Sequence, residues 1–154
     1  MSHWQEGKLN LKCTIDVLHS AIISIMPEWK KSIQISSEGN LSIHSSYAQN
    51  TGHNEEQTGF HIRVPENSDI GIRYCDFGAK KLADGTWRIE YDKGGLPPKM
   101  KDAPNELKNE VGVMQARSLL RKYNILSEES PISGGGRKIR ARVSKQKALQ
   151  ILGQ

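Results

Sequence analysis

An α+β fold is predicted, built on an antiparallel-rich sheet of about six to eight strands with two main helices and a short C-terminal helix. Three observations predict it. Short segments of strictly alternating polarity recur along the chain, the pattern of half-buried strands. Two longer segments place their apolar residues at helical spacing instead, over 16–26 and 105–123. The strand segments come in runs with the helices set apart, which favours a sheet covered on one face over alternating βαβ units.

The elements follow in chain order. Leu9, Leu11 and Cys13 alternate with polar residues and predict a strand over 8–13. Asp16 is positioned to cap a helix with a stripe of Leu18, Ala21, Ile22, Ile25 and Met26, which Pro27 should end. Residues 32–36 and 41–44 alternate on either side of Ser37-Glu38-Gly39-Asn40 and predict a β-hairpin. The polar stretch 45–58 is predicted as a loop. Phe60, Ile62 and Val64 predict one strand, Ile70, Ile72 and Tyr74 another, and Trp87, Ile89 and Tyr91 a third after the turn Ala83-Asp84-Gly85. Glycine and proline are too dense over 93–104 for regular structure.

Asn105 is placed to cap the long helix, whose two apolar rows are Leu107, Val111, Met114 and Val113, Ala116, Leu120, Tyr123. After Ser133 and three glycines, Ile139, Ala141 and Val143 alternate with Lys138, Arg140 and Arg142, and Ser144 can cap a final helix with Ala148, Ile151 and Leu152.

The 154 residues are read as a single α+β domain, 1–154, with a basic segment over 137–154. At 36% hydrophobic and 25% charged the composition is that of a globular protein. No apolar run approaches the length of a membrane span, so no membrane role is expected. Cys13 and Cys75 lie far apart and read as reduced thiols, which points to cytoplasm or an equivalent reducing interior.

Several motifs resemble the hypothetical chloroplast reading frame thirty-five group, a domain of unknown function in plastids, cyanobacteria and other bacteria. They are Met1-Ser2-His3-Trp4, Asp69-Ile70-Gly71-Ile72, Asp84-Gly85-Thr86-Trp87, Asp92-Lys93-Gly94-Gly95 and a helix over 106–123 containing Val113-Met114-Gln115. Where that group carries tryptophans before the Gly-Gly, Tyr91-Asp92-Lys93 stands here. The resemblance implies an α+β fold and an intracellular home, and carries over no activity and no catalytic residue.

Enzyme chemistry finds no support in the spacing of reactive residues. His3, His19, His44, His53 and His61 show no zinc-motif spacing, so no metal is expected. No Gly-x-Ser-x-Gly elbow occurs, and Cys75 beside Asp76 would have its thiolate disfavoured. His44-Ser45-Ser46 is half of a paired His-x-Ser signature whose second half is missing, because Ile62-Arg63 follows His61. Asp76-Phe77-Gly78 reads as a turn and not as a kinase magnesium triplet, since the companion motifs are absent. No catalytic residue, metal or cofactor is assigned, and the chain is read as non-enzymatic.

The positive signal is charge. The net charge is +5, and 137–154 alone contributes +6 through Arg137, Lys138, Arg140, Arg142, Lys145 and Lys147. Lys138, Arg140 and Arg142 should share one strand face about 7 Å apart, and Arg117, Arg121 and Lys122 could widen the patch. The expected function is docking of an acidic partner, nucleic acid or protein, through this basic strand. Aromatics are only 6% and none interleaves with the basic strand, so any nucleic-acid contact should be unspecific in sequence. The same charges can also simply protect a sheet edge. The alternative is a small-nucleotide or phosphate-binding domain, with donors from Gly134 to Lys138 and Trp87 or Tyr91 as the stacking surface.

Overall fold

A computed structural model describes residues 4–45, 56–123, 127–131 and 137–141. The chain divides into two packed units, Met1–Lys108 and Asn109–Gln154. The fold is α+β as expected, with one antiparallel five-stranded sheet, two smaller two-stranded sheets and two main helices.

The first unit is organised around the five-stranded sheet. Its strands are β1 (Trp4–Leu9), β2 (Gln34–Ile35), β5 (Ile62–Val64), β6 (Phe77–Lys81) and β7 (Trp87–Asp92), in the order β1-β7-β6-β5-β2. Pairing is antiparallel throughout. Because cross-strand partners point to the same face, the register places Leu9, Ile62, Val64, Phe77, Ala79, Trp87 and Ile89 together, and all are buried.

Helix α1 (Ile15–Ile25) lies between two anchors on that apolar face. Just before it, the Trp87 indole N–H donates to the Cys13 carbonyl at 3.1 Å. Just after it, the Trp29 ring meets Phe77 with centroids 5.4 Å apart. Leu18, Ala21 and Ile22 are its buried stripe. Each aromatic buried here removes about 150–250 Å² from water, worth roughly 4–6 kcal/mol before entropy at ~25 cal/mol per Å².

The opposite face is polar, and a second small sheet covers its middle. Strands β3 (Leu41–Ile43) and β4 (Gln57–Phe60) pair with each other. A Cβ at Gly78 would lie 2.8 Å from both Ile43 and Phe60, so the glycine permits this close approach. Beside them Asp76, only 4% exposed, ties separate segments together. Its Oδ2 accepts from the His44 N–H at 2.9 Å and the Arg63 Nε at 3.0 Å, and its Oδ1 accepts from the Glu66 N–H at 2.7 Å.

Several expectations are corrected. The hairpin expected over 32–44 does not form, because β2 pairs with β5 and β3 with β4. Ile43 is buried as its alternation implied, but Ile35 on the two-residue β2 is 43% exposed, and the strand partners come from farther along the chain. Phe60, Ile62 and Val64 are all buried but belong to two strands broken at His61. The strand expected at Ile70, Ile72 and Tyr74 is a 3-10 turn, Ser68–Ile70, followed by a single bridge from Ile72 to Asn67. Tyr74 sits at φ 73°, outside strand geometry. Phe77 and Gly78, expected in a turn, begin β6. The first strand starts earlier than expected and ends at Leu9. Thr14 rather than Asp16 caps α1, its hydroxyl accepting from the Val17 N–H.

The second helix, α2 (Ala103–Lys122), begins two residues before the cap expected at Asn105, and the division between units falls within it. In the second unit, β8 (Ser127–Pro131) and β9 (Arg137–Ala141) form an antiparallel pair. The final helix expected from Ser144, the loop residues 46–55 and the triple glycine 134–136 lie outside the described residues.

Candidate nucleic-acid interface

Charge separates the two units. Residues 109–154 contain nine lysines and arginines against Glu110, Glu128 and Glu129, a net +6, which leaves −1 for residues 1–108. The β8–β9 pair aligns this charge across the strands. Arg140 is registered opposite Glu128, Ile139 opposite Glu129, Lys138 opposite Ser130 and Arg137 opposite Pro131.

Strand alternation divides the basic residues between two faces. Lys138 and Arg140 share one face and both are exposed. Arg137 falls on the other, with half-buried Ile139 and with Glu129. Arg117 of α2 reaches that same carboxylate. Its Nε donates to Glu129 Oε1 and its Nη2 to Oε2 at 2.6 Å, a two-point fork. The Arg137 Nη1 lies 3.5 Å from Glu129 Oε2. The hydrogen bond from Arg117 holds the Glu129 carboxyl below its ordinary range, and the Arg137 charge adds to that effect.

The six basic residues expected to act together are therefore placed as follows. Lys138 and Arg140 stand side by side as expected. Arg137 points to the opposite face and is paired. Arg142, Lys145 and Lys147 lie outside the described residues. Arg121 and Lys122 are exposed in the last turn of α2, where positive charge complements the helix dipole.

The stacking surface expected at Trp87 and Tyr91 is corrected. Trp87 is completely buried in the apolar sheet face, with its N–H committed to Cys13. Tyr91 is 7% exposed, and burial pushes its phenol up, aided by the charge of Asp102. Neither ring offers a face to a base. Alternation marked both as inward residues of β7, and inward on this face means core.

Reasoning from the sequence missed Glu129 and the strand that carries it. The signal was present as two adjacent acids in 127–131 and a basic run in 137–141, across a glycine-rich connection. Opposite charge on two segments joined by glycines is a hairpin pattern.

A second concentration of charge lies on the polar face of the five-stranded sheet, where Asp76, Glu90 and Asp92 are buried. It is a structural network. Arg88 bridges Glu90 and Glu6 at 2.9 Å each, and Arg63 contacts Asp76 at 3.0 Å. Asp92 accepts from the Gly94 N–H at 2.9 Å and caps the 3-10 turn Lys93–Gly95. Burial, then the neighbouring Asp76, pushes the Cys75 thiol far up, which makes it a poor nucleophile. His61 Nδ1 accepts from the Lys81 N–H at 3.1 Å, and desolvation with the Lys81 and Lys80 charges pushes the imidazole down. No group of three histidine, cysteine or acidic residues able to hold a metal occurs among the described residues.

Of the motifs that carry the family resemblance, 69–72, 84–87 and 92–95 lie at turns, 106–122 is part of α2, and Met1, Ser2 and His3 lie outside the described residues. Asp84 accepts from the Thr86 N–H and hydroxyl, and Gly95 packs where a Cβ would strike the Arg73 carbonyl. No family model matches the chain, and neither a curated protein nor a solved structure matches it.

Proposed function

We propose that the chain is a non-enzymatic binding protein that docks an acidic partner through β9, with nucleic acid as the partner class its surface chemistry fits best. The observation that carries the reading is the exposed pair Lys138 and Arg140 on one strand face. Their spacing of about 7 Å suits successive phosphates along a nucleic-acid strand. The local excess of positive charge supports it by steering polyanions toward residues 109–154.

With no aromatic beside these cations, the contact would be to backbone and indifferent to sequence. The small-nucleotide alternative loses its stacking surface to the core, and the glycines 134–136 that would supply its donors lie outside the described residues. The motif resemblance supports placing the chain beside the chloroplast reading frame thirty-five group, and it adds no activity to this reading.

Fluorescence polarisation at low salt with labelled single- and double-stranded DNA and RNA, and with polyglutamate, tests the proposal. Binding to the nucleic acids regardless of sequence is expected. Binding to polyglutamate alone would redirect the reading to an acidic protein partner. No binding to any of these polyanions would remove it.

A further inference from the structure

Two arginines from different elements converge on Glu129. Arg117 comes from α2 and Arg137 from the start of β9, and the carboxylate between them is held by a fork from one and an ion pair from the other. A carboxylate and a phosphate present the same paired-oxygen geometry to a guanidinium fork. The arrangement therefore has the form of an anion cradle that is already filled from within.

We propose that Glu129 stands in for a phosphate, and that a nucleic-acid phosphate displaces it to engage Arg117 and Arg137. The inference rests on the reading of β9 as the docking element and names a further contact within it. Three observations make the exchange feasible. All three side chains reach solvent, with relative exposures of 28%, 25% and 47% for Arg117, Glu129 and Arg137. The 3.5 Å Arg137 pair is of the exposed kind that contributes little, and a phosphate can re-form the fork that Arg117 makes to the carboxylate, so one anion can replace the other without losing either kind of contact. Finally, β8–β9 is a two-stranded sheet. A nucleic-acid strand held by the exposed pair must therefore wrap only this narrow ribbon to bring a neighbouring phosphate to Arg137 on the other face.

The proposal makes Glu129 an internal competitor that lowers affinity for polyanions. Glu129→Gln removes the competing charge and keeps the side-chain shape. A labelled oligothymidine, titrated by polarisation at low salt, should bind this variant roughly three- to tenfold more tightly than wild type. That range follows from releasing two exposed ion pairs. Adding Arg117→Gln or Arg137→Gln to Glu129→Gln should cancel the gain. Adding Lys30→Gln, an exposed cation of the first unit, with the same change in net charge, should leave most of it.

Equal affinity of wild type and Glu129→Gln would overturn the cradle while leaving β9 as the docking strand. Cancellation by Lys30→Gln as well would reduce the effect to bulk charge and also overturn it. No binding by either protein would overturn both readings. If the variant does not fold, the Arg117 Nε–Hε resonance of wild type decides. It should shift on titration with the oligonucleotide, and a resonance that stays put refutes the displacement.

Discussion

Removing the Asp76 carboxylate should destabilise the first unit more than loss of any surface charge. Its two oxygens accept from the His44 and Glu66 amides and from Arg63, with distances between 2.7 and 3.0 Å. Asp76→Ala leaves two backbone donors and a guanidinium that is 23% exposed without their acceptor. Truncating one partner of a buried charge pair costs about 3–5 kcal/mol. Arg63 can turn partly toward water, so the lower end, ~3 kcal/mol, is the expected loss.

Asp76→Asn should cost less, because the amide can keep its oxygen toward Arg63 and His44 while losing only the Glu66 contact and the charge. Urea unfolding followed by the fluorescence of buried Trp29 and Trp87 measures both variants. With a slope of about 2 kcal/mol per molar, Asp76→Ala should lower the midpoint by roughly 1.5 M. A shift under about 0.5 M, or an Asn variant weaker than the Ala variant, would refute the assignment of Asp76 as the staple between these segments.

Further outcomes follow from the same geometry. Gly95→Ala would place a Cβ against the Arg73 carbonyl, whose residue also receives the Gly95 carbonyl on its N–H at 2.8 Å, so thermal melts should show a loss of about 1–3 kcal/mol. Gly112→Ala, on an exposed helical position with nothing nearby, should instead add about 0.5–1 kcal/mol in the same assay. Because the folded state depresses the His61 imidazole below its ordinary 6.5, its contribution is present above that pH and is lost as pH falls through the folded value. Urea midpoints should therefore drop on acidification from pH 7 to 5.5, and His61→Asn should reduce the drop.

The thiols behave oppositely. The folded state raises Cys75 above 9.0, so its contribution is present below that pH and fades as pH rises and the unfolded thiol ionises. Native protein at pH 8 should resist a disulfide-exchange reagent at Cys75 and react fully in urea. Rapid native labelling there would contradict its burial.

Burial was more legible in the sequence than pairing. Alternation identified Phe60, Ile62, Val64, Trp87 and Ile89 as inward residues, and each is buried. It could not say which strands meet, because a period of two assigns faces and is silent about neighbours. That is why Ile35 and Ile43 were joined in one hairpin although they belong to different sheets. The helix caps moved for a local reason, since Thr14 is extended and presents its hydroxyl where Asp16 is already inside the first turn.

For the candidate interface, sequence exposed the cations and their alternation but hid the opposing acid. Arg137 looked like one more member of a basic row. Strand alternation already turns it away from Lys138, and the fold adds that it faces a carboxylate held by Arg117 from another element.

The central claim is that Lys138 and Arg140 meet successive phosphates. The salt dependence of oligothymidine binding tests it most directly, comparing wild type with Lys138→Gln/Arg140→Gln. If the pair contacts two phosphates, the slope of log affinity against log salt should be shallower by about 1.4 in the double variant. Equal slopes for the two proteins would mean that this face of β9 does not touch the strand.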